Sequence, residues 1–138
     1  MIEVIDHLVS HLRTQMAPAL NTAQVIKQSI PEYAPQPKFV CVQIYDGELA
    51  SFPPQNNPRV IIITQDKTDE LARTLASAVL AALPEDYGKI LPSPVGISPD
   101  PGPVNLAQIK PLSIPRPLGD QGNGRFQYSI PYLLQMSV

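Results

Sequence analysis

Proline constrains this chain more than any other residue. It holds 17 prolines in 138 residues, and nine of them fall within residues 84–118. Proline fixes its own φ, lacks an N–H to donate, and pushes the preceding residue out of the helical region. Residues 84–118 are therefore expected to be neither helix nor central strand. They read as a long proline-rich connection, with residues 109–114 as a short edge strand, because Pro111 is unsuited to a central one. A connection of that length is unusual in a small domain and suggests a functional arm. Its apolar residues Ile90, Leu91, Val95, Ile97, Val104 and Leu106 are scattered among the prolines. The arm is thus expected to be mobile in the isolated subunit and ordered against a neighbour.

Around this segment the residue pattern changes period. Ile2, Ile5, Leu8, Val9, Leu12 and Met16 recur at spacings of three and four, which predicts an amphipathic helix closed by Pro18. Residues 22–30 read as a weak extended strand. Residues 39–45 (FVCVQIY) read as a second, with Val40, Val42 and Ile44 on one face and an Asp46-Gly47 turn after it. The apolar run at 60–63 is the expected central strand. Asp66 is the expected N-cap of the helix that follows, with Asp69 and Glu70 in its first turn. Leu71, Leu75, Val79 and Leu83 repeat along that helix, and Ala72, Ala76, Ala78, Ala81 and Ala82 permit close packing on a sheet. Pro84 ends it.

After a tight turn at 120–124, the last strand alternates. Phe126, Tyr128, Ile130, Tyr132 and Leu134 share one face, and Pro131 marks a bulge or an edge. Residues 1–138 form one expected domain of α+β class. It is a two-layer, mostly antiparallel sheet with two helices on one face and a long proline-rich loop.

Composition narrows the function. The net charge of −2 gives no electrostatic drive toward phosphate, so sequence-specific nucleic-acid binding is not expected. No apolar run reaches a membrane span, and residues 1–13 lack the basic start and apolar core of a signal peptide. The chain reads as soluble and intracellular. Charged residues make up only 16%, which suits a surface partly hidden in an assembly.

Several residue groups invite a chemical reading, and each has a simpler one. His7 and His11 have the i, i+4 spacing of zinc-binding helices, but HLVSH lacks the glutamate of that motif. They read as part of a polar helix face, where replacing both with alanine should leave stability nearly unchanged. Cys41 lies between Val40 and Val42, reads as a buried structural thiol, and has no second cysteine to pair with. Asp66, Asp69 and Glu70 are explained by helix capping. Residues 121–124 (QGNG) precede a strand and read as a hairpin turn, not a phosphate loop. Tyr45, Tyr128 and Tyr132 could stack bases, but they lack basic neighbours beyond Arg125 and read as packing. The expectation is no catalytic residue, no cofactor and no metal.

The order of elements resembles one family. A helix beginning MIEVIDHLVSHLR, a strand RVIIITQ leading into the helix DKTDELARTLASAVLAALP, a long variable loop and a last strand GRFQYSIPYLLQMSV together resemble the tail-terminator (tail-completion) proteins of tailed bacteriophages and related contractile particles. The resemblance implies a virion structural protein, made in the host cytoplasm, that forms a hexameric ring at the head-proximal end of the tail tube. There it would end tube growth and join tail to neck. The implied partners are further copies of the chain, the tail tube protein and the neck or connector proteins, with the sheath a further candidate. Arg116, Arg125, Tyr128 and Tyr132, on the arm and the final strand, are the candidate assembly contacts. Another neck or tail-assembly protein, or a small protein-binding adaptor, is the alternative; an enzyme of unfamiliar kind is the more distant one.

Overall fold

The computed structural model describes residues 4–17, 20, 24–27, 37–44, 59–122 and 124–136. In chain order the elements are α1 (Val4–Gln15), β1 (Val25–Lys27), β2 (Phe39–Ile44), β3 (Arg59–Asp66), α2 (Asp69–Ala82), β4 (Asp86–Leu91), β5 (Val104–Pro111), β6 (Arg116–Asp120) and β7 (Phe126–Met136). The fold is α+β, with two helices and a seven-stranded, mostly antiparallel sheet. Of the sequence expectations, Ile2, Pro18, Tyr45, the Asp46-Gly47 turn and most of residues 22–30 lie outside the described residues.

The sheet order is β1-β2-β3-β7-β5-β4, with β6 also paired to β7. β1 runs parallel to β2; every other pairing is antiparallel. Alternation along β7 puts Tyr128, Ile130, Tyr132 and Leu134 on one buried face. That face meets Ile5, Leu8, Leu12, Leu75 and Val79 of the two helices in a single core. The other face of the sheet carries no helix among the described residues. Ile61, Ile63, Pro131 and Leu133 are half-exposed there, whereas Phe39 and Cys41 on the same side are buried.

The expected proline-rich loop is instead largely sheet. Residues 84–118 contain β4, β5 and most of β6, and Leu91, Val104, Leu106 and Ile109 are buried in the core. The expectation of a short edge strand at 109–114 is corrected as well. β5 spans Val104–Pro111 and lies between β7 and β4. The reason is placement of the prolines. Pro92, Pro94, Pro99, Pro101 and Pro103 fall between β4 and β5, Pro111 is the last residue of β5, and Pro115 falls between β5 and β6. No proline interrupts the β4–β5 ladder, so the hydrogen bonding that proline removes is not needed there.

β7 is central, yet it contains Pro131. β5 pairs with β7 from Tyr132 onward, and β6 pairs with it up to Ser129. Pro131 therefore faces the break between β5 and β6, and its carbonyl accepts the Leu112 N–H at 2.8 Å across that gap. A residue's N–H and C=O project to the same side of an antiparallel strand. The missing N–H thus points into the break, and the β3 ladder on the other side is intact.

β4 and β5 share an irregularity. Gly88, with φ of +64°, lies between the pairs Tyr87–Gln108 and Lys89–Leu106, where the register of β5 on β7 also shifts. Glycine adopts this φ without steric cost. The kink puts Tyr87 and Ile90, three residues apart, on the same helix-free face as Gln108 and Asn105.

The N-cap of α2 lies two residues later than expected. It is Thr68, whose hydroxyl accepts the Leu71 N–H at 3.2 Å. Asp66 is instead the buried last residue of β3, and its carboxylate accepts the Lys67 N–H. Asp69 and Glu70 do lie in the first turn, as the helix dipole favours. Three hydrogen bonds tie α2 and its C-cap to the sheet: Thr64 Oγ1 donates to the Ala72 carbonyl, Tyr128 Oη donates to the Asp69 carboxylate, and Tyr132 Oη donates to the Leu83 carbonyl at 2.8 Å.

Thr68→Ala is expected to lower stability by about 1 kcal/mol. Tyr132→Phe, which leaves the Leu83 carbonyl buried without its partner, is expected to cost about 1–3 kcal/mol. Urea unfolding measures both; unchanged midpoints would contradict these roles.

Candidate functional site

The polar residues of α1 fasten it to neighbouring segments. Arg13 Nε donates to the Val25 carbonyl, and Lys27 pairs with Asp6 at 2.8 Å, so α1 holds β1 twice. Ser10 Oγ accepts the Val95 N–H, and His7 Nε2 lies 2.8 Å from the Gly102 carbonyl. These two contacts hold the connection between β4 and β5 against the helix. Gly102, at φ +80°, completes a turn whose N–H is accepted by Asp100. That hydrogen bond, with one from Ser93, holds the Asp100 carboxyl below its usual range.

The histidines are therefore not on a dispensable polar face. His7 is 1% exposed. His11 turns toward the Ala82 carbonyl at the end of α2, and its Nε2 is buried without a hydrogen-bond partner. Burial and the nearby Lys89 ammonium lower its pKa, against a smaller opposing effect of the Ala82 carbonyl. Among the described residues no three His, Cys, Asp or Glu side chains converge on a point that could hold a metal.

Cys41 is fully buried, as its neighbours in the sequence suggest, and burial pushes its thiol up to about 11. Its thiol is therefore held in the protonated form at neutral pH. Tyr128 and Tyr132 lie under the helices: Tyr128 Oη donates to Asp69 at 3.0 Å, and burial pushes the Tyr132 phenol far above its ordinary range. A base-stacking platform needs exposed rings, so they do not form one. As assembly contacts the two tyrosines are corrected for the same reason, since packing within the subunit uses their surface. Arg116 is exposed and Arg125 half-exposed. Of residues 121–124, Asn123 lies outside the described residues; Gln121, Gly122 and Gly124 lie between β6 and β7, where the Gln121 N–H donates to the Arg125 carbonyl at 2.7 Å.

Two surface cavities lie apart from the contacts of α1 just described. The larger is an apolar groove of about 520 Å³ between the end of α1 and the outer side of α2. Met16, Leu20, Leu71, Leu75, Ala78, Ala81 and Ala82 line it, with Lys38 and Asp66 also at its wall. Sequence reasoning assigned every alanine of α2 to sheet packing. Only Ala72 and Ala76 are fully buried, while the short side chains of Ala78 and Ala81 are exposed along the groove. The four-residue repeat also drifts around a helix of 3.6 residues per turn, so Leu71 reaches the rim and is 39% exposed.

The second feature is a pocket of about 230 Å³ on the helix-free face. Arg59, Ile61, Leu112, Ser113, Arg116, Ser129 and Pro131 line it. Here the corner between β5 and β6 folds over the sheet, leaving Ile114 82% exposed at its tip.

No helix among the described residues is long and apolar enough to cross a membrane. No protein-family model and no curated protein matches the sequence.

His11 makes stability pH-dependent with a definite sign. Its pKa in the folded protein lies below the ordinary 6.5, so the unfolded chain binds the proton more readily. The stability it contributes is present above 6.5 and is lost as pH falls through the folded-state value. Urea titrations between pH 7.5 and 5 should show a steeper acid loss for the wild type than for His11→Gln. Parallel profiles would contradict the assignment.

Proposed function

We propose that this chain is a structural subunit of a tailed-phage particle, the tail terminator. It closes into a hexameric ring on the head-proximal end of the tail tube, ends tube growth and presents a surface to the neck proteins. It acts by binding and carries out no chemistry. The order of the first helix, the strand RVIIITQ with its following helix, and the last strand supports this reading, since it resembles that family.

One structural observation carries the reading furthest. Among the described residues eight large apolar side chains are exposed, and seven of them (Tyr87, Ile90, Val95, Ile97, Leu112, Ile114 and Leu118) fall within residues 84–118. Single exposed apolar residues are ordinary, but this concentration in one segment favours contact with other proteins. A closed ring of identical subunits joins two different patches on each copy. The 84–118 segment offers one patch, and the groove between α1 and α2 offers an unlike one. The ion pair and hydrogen bonds of α1 are contacts that brace a subunit, not a reacting centre.

The test is a reconstruction of assembled tails, or co-assembly of the purified chain with tail tube protein. Six copies in a ring at the head-proximal tube end are expected. A single copy per tail, or a position away from the tube end, would reject the function.

A further inference from the structure

We infer that the helix-free face of the sheet binds an acidic polypeptide segment, one carboxylate of which seats in the pocket between Arg59 and Arg116. The inference goes beyond the ring reading and does not depend on it.

Strand register places the charges. Residues directly opposite one another in paired strands share a face of the sheet. Lys110 of β5 and Arg59 of β3 both stand opposite Leu133 of β7, and Arg116 of β6 stands opposite Ser129. Tyr128, Ile130, Tyr132 and Leu134 point toward the helices, so Ser129 and Leu133 point away from them. All three cations therefore lie on the helix-free face. The acids of the described strands lie on the other one. Asp66 and Asp120 stand opposite Phe126, and Asp86 stands opposite Ile109; both partners pack with the helical core. A chain of net charge −2 thus turns only positive charge outward from the described strands of this face.

The pocket concentrates that charge. Its volume of about 230 Å³ suits one functional group rather than a whole small molecule, whose sites run to roughly 300–1,000 Å³. Arg59 and Arg116 both line it, and the directly paired Ile61 and Pro131 lie between them. Neither guanidinium has a hydrogen bond or ion pair with another described residue. Two like charges lining one small pocket repel, and an anion between them relieves that repulsion. The Ser129 hydroxyl, also without a partner among the described residues, adds a donor.

The lining selects among anions. The fork of an arginine matches a planar carboxylate with two parallel hydrogen bonds. Ile61, Leu112 and Pro131 give the pocket an apolar wall, which suits the methylenes of an acidic side chain and offers nothing to a phosphate. The Leu112 N–H is held by the Pro131 carbonyl, so this wall is fixed before anything binds. Lys110, on the same face, offers a further cation to a neighbouring carboxylate, which favours an acidic segment over an isolated acid.

An NMR titration of the isotope-labelled full chain tests this. The probes are a capped peptide of alternating alanine and glutamate, its glutamine counterpart, and inorganic phosphate. The side-chain Nε–H signals of Arg59 and Arg116 should shift saturably with the glutamate peptide, and the affinity should fall as salt is raised. The glutamine peptide and phosphate should move them far less. Arg59→Gln and Arg116→Gln should each weaken binding by about three- to tenfold. Both side chains are exposed, so neither change should alter the melting temperature. Arg125→Gln, outside the pocket, should bind as the wild type does. No saturable shift, equal shifts with the glutamine peptide, or binding indifferent to both pocket variants would overturn the inference. Phosphate binding as tight as that of the glutamate peptide would overturn the assignment to a carboxylate. Loss of tail-end location in particles, with peptide binding retained, would reject the ring reading alone.

Discussion

Everything in this fold hangs on β7. It is the longest strand and the last in the chain, and it alone joins the two halves of the sheet. On one side it pairs with β3 along eight consecutive residues. On the other it pairs first with β6 and then with β5. Its inward residues also fill the space under both helices, and Tyr132 reaches the end of α2. Burying each large apolar side chain contributes about 1.5–3 kcal/mol, and β7 supplies four of the core's buried residues, Tyr128, Ile130, Tyr132 and Leu134. A proline at the centre of such a strand is tolerable because two shorter strands share its far side and leave a gap at Pro131.

This arrangement explains which parts of the fold were legible in the sequence. Period-2 alternation showed the buried face of β7, because Tyr128, Ile130, Tyr132 and Leu134 face a single core. Period-3.6 recurrence showed α1 and α2 for the same reason. The α+β class follows from those elements alone. In residues 84–118 proline density alone points to a loop, and the density hides the strands. Its effect depends on which N–H each proline removes. In β4 and β5 the ladder positions belong to Lys89, Leu91, Leu106 and Ile109, while the prolines fall between and after them. The N-cap was displaced for a related reason: Asp66 and Thr68 are both good caps, and local pattern cannot tell which one the strand will claim.

The surface was less legible than the core. His7 and His11 were read as polar exterior, yet both turn inward to backbone carbonyls on other segments. No local pattern encodes a partner such as Gly102, which is 95 residues away. Ala78 and Ala81 carry no mark that distinguishes a groove wall from a helix–sheet contact. Tyr128 and Tyr132, attractive as interface aromatics, are used inside the subunit. What is left outside is the exposed Ile114 at the β5–β6 corner and an aliphatic groove beside α2.

β7 makes the two halves of the sheet one cooperative unit, with residues 84–118 integral to it. Native-state hydrogen exchange on the isolated subunit tests this most directly. The hydrogen-bonded amides of β5 and of β3 should open with similar free energies, close to that of global unfolding. If the β5 amides open at about half that free energy or less while β3 remains protected, the segment is a loosely attached arm and the account is wrong.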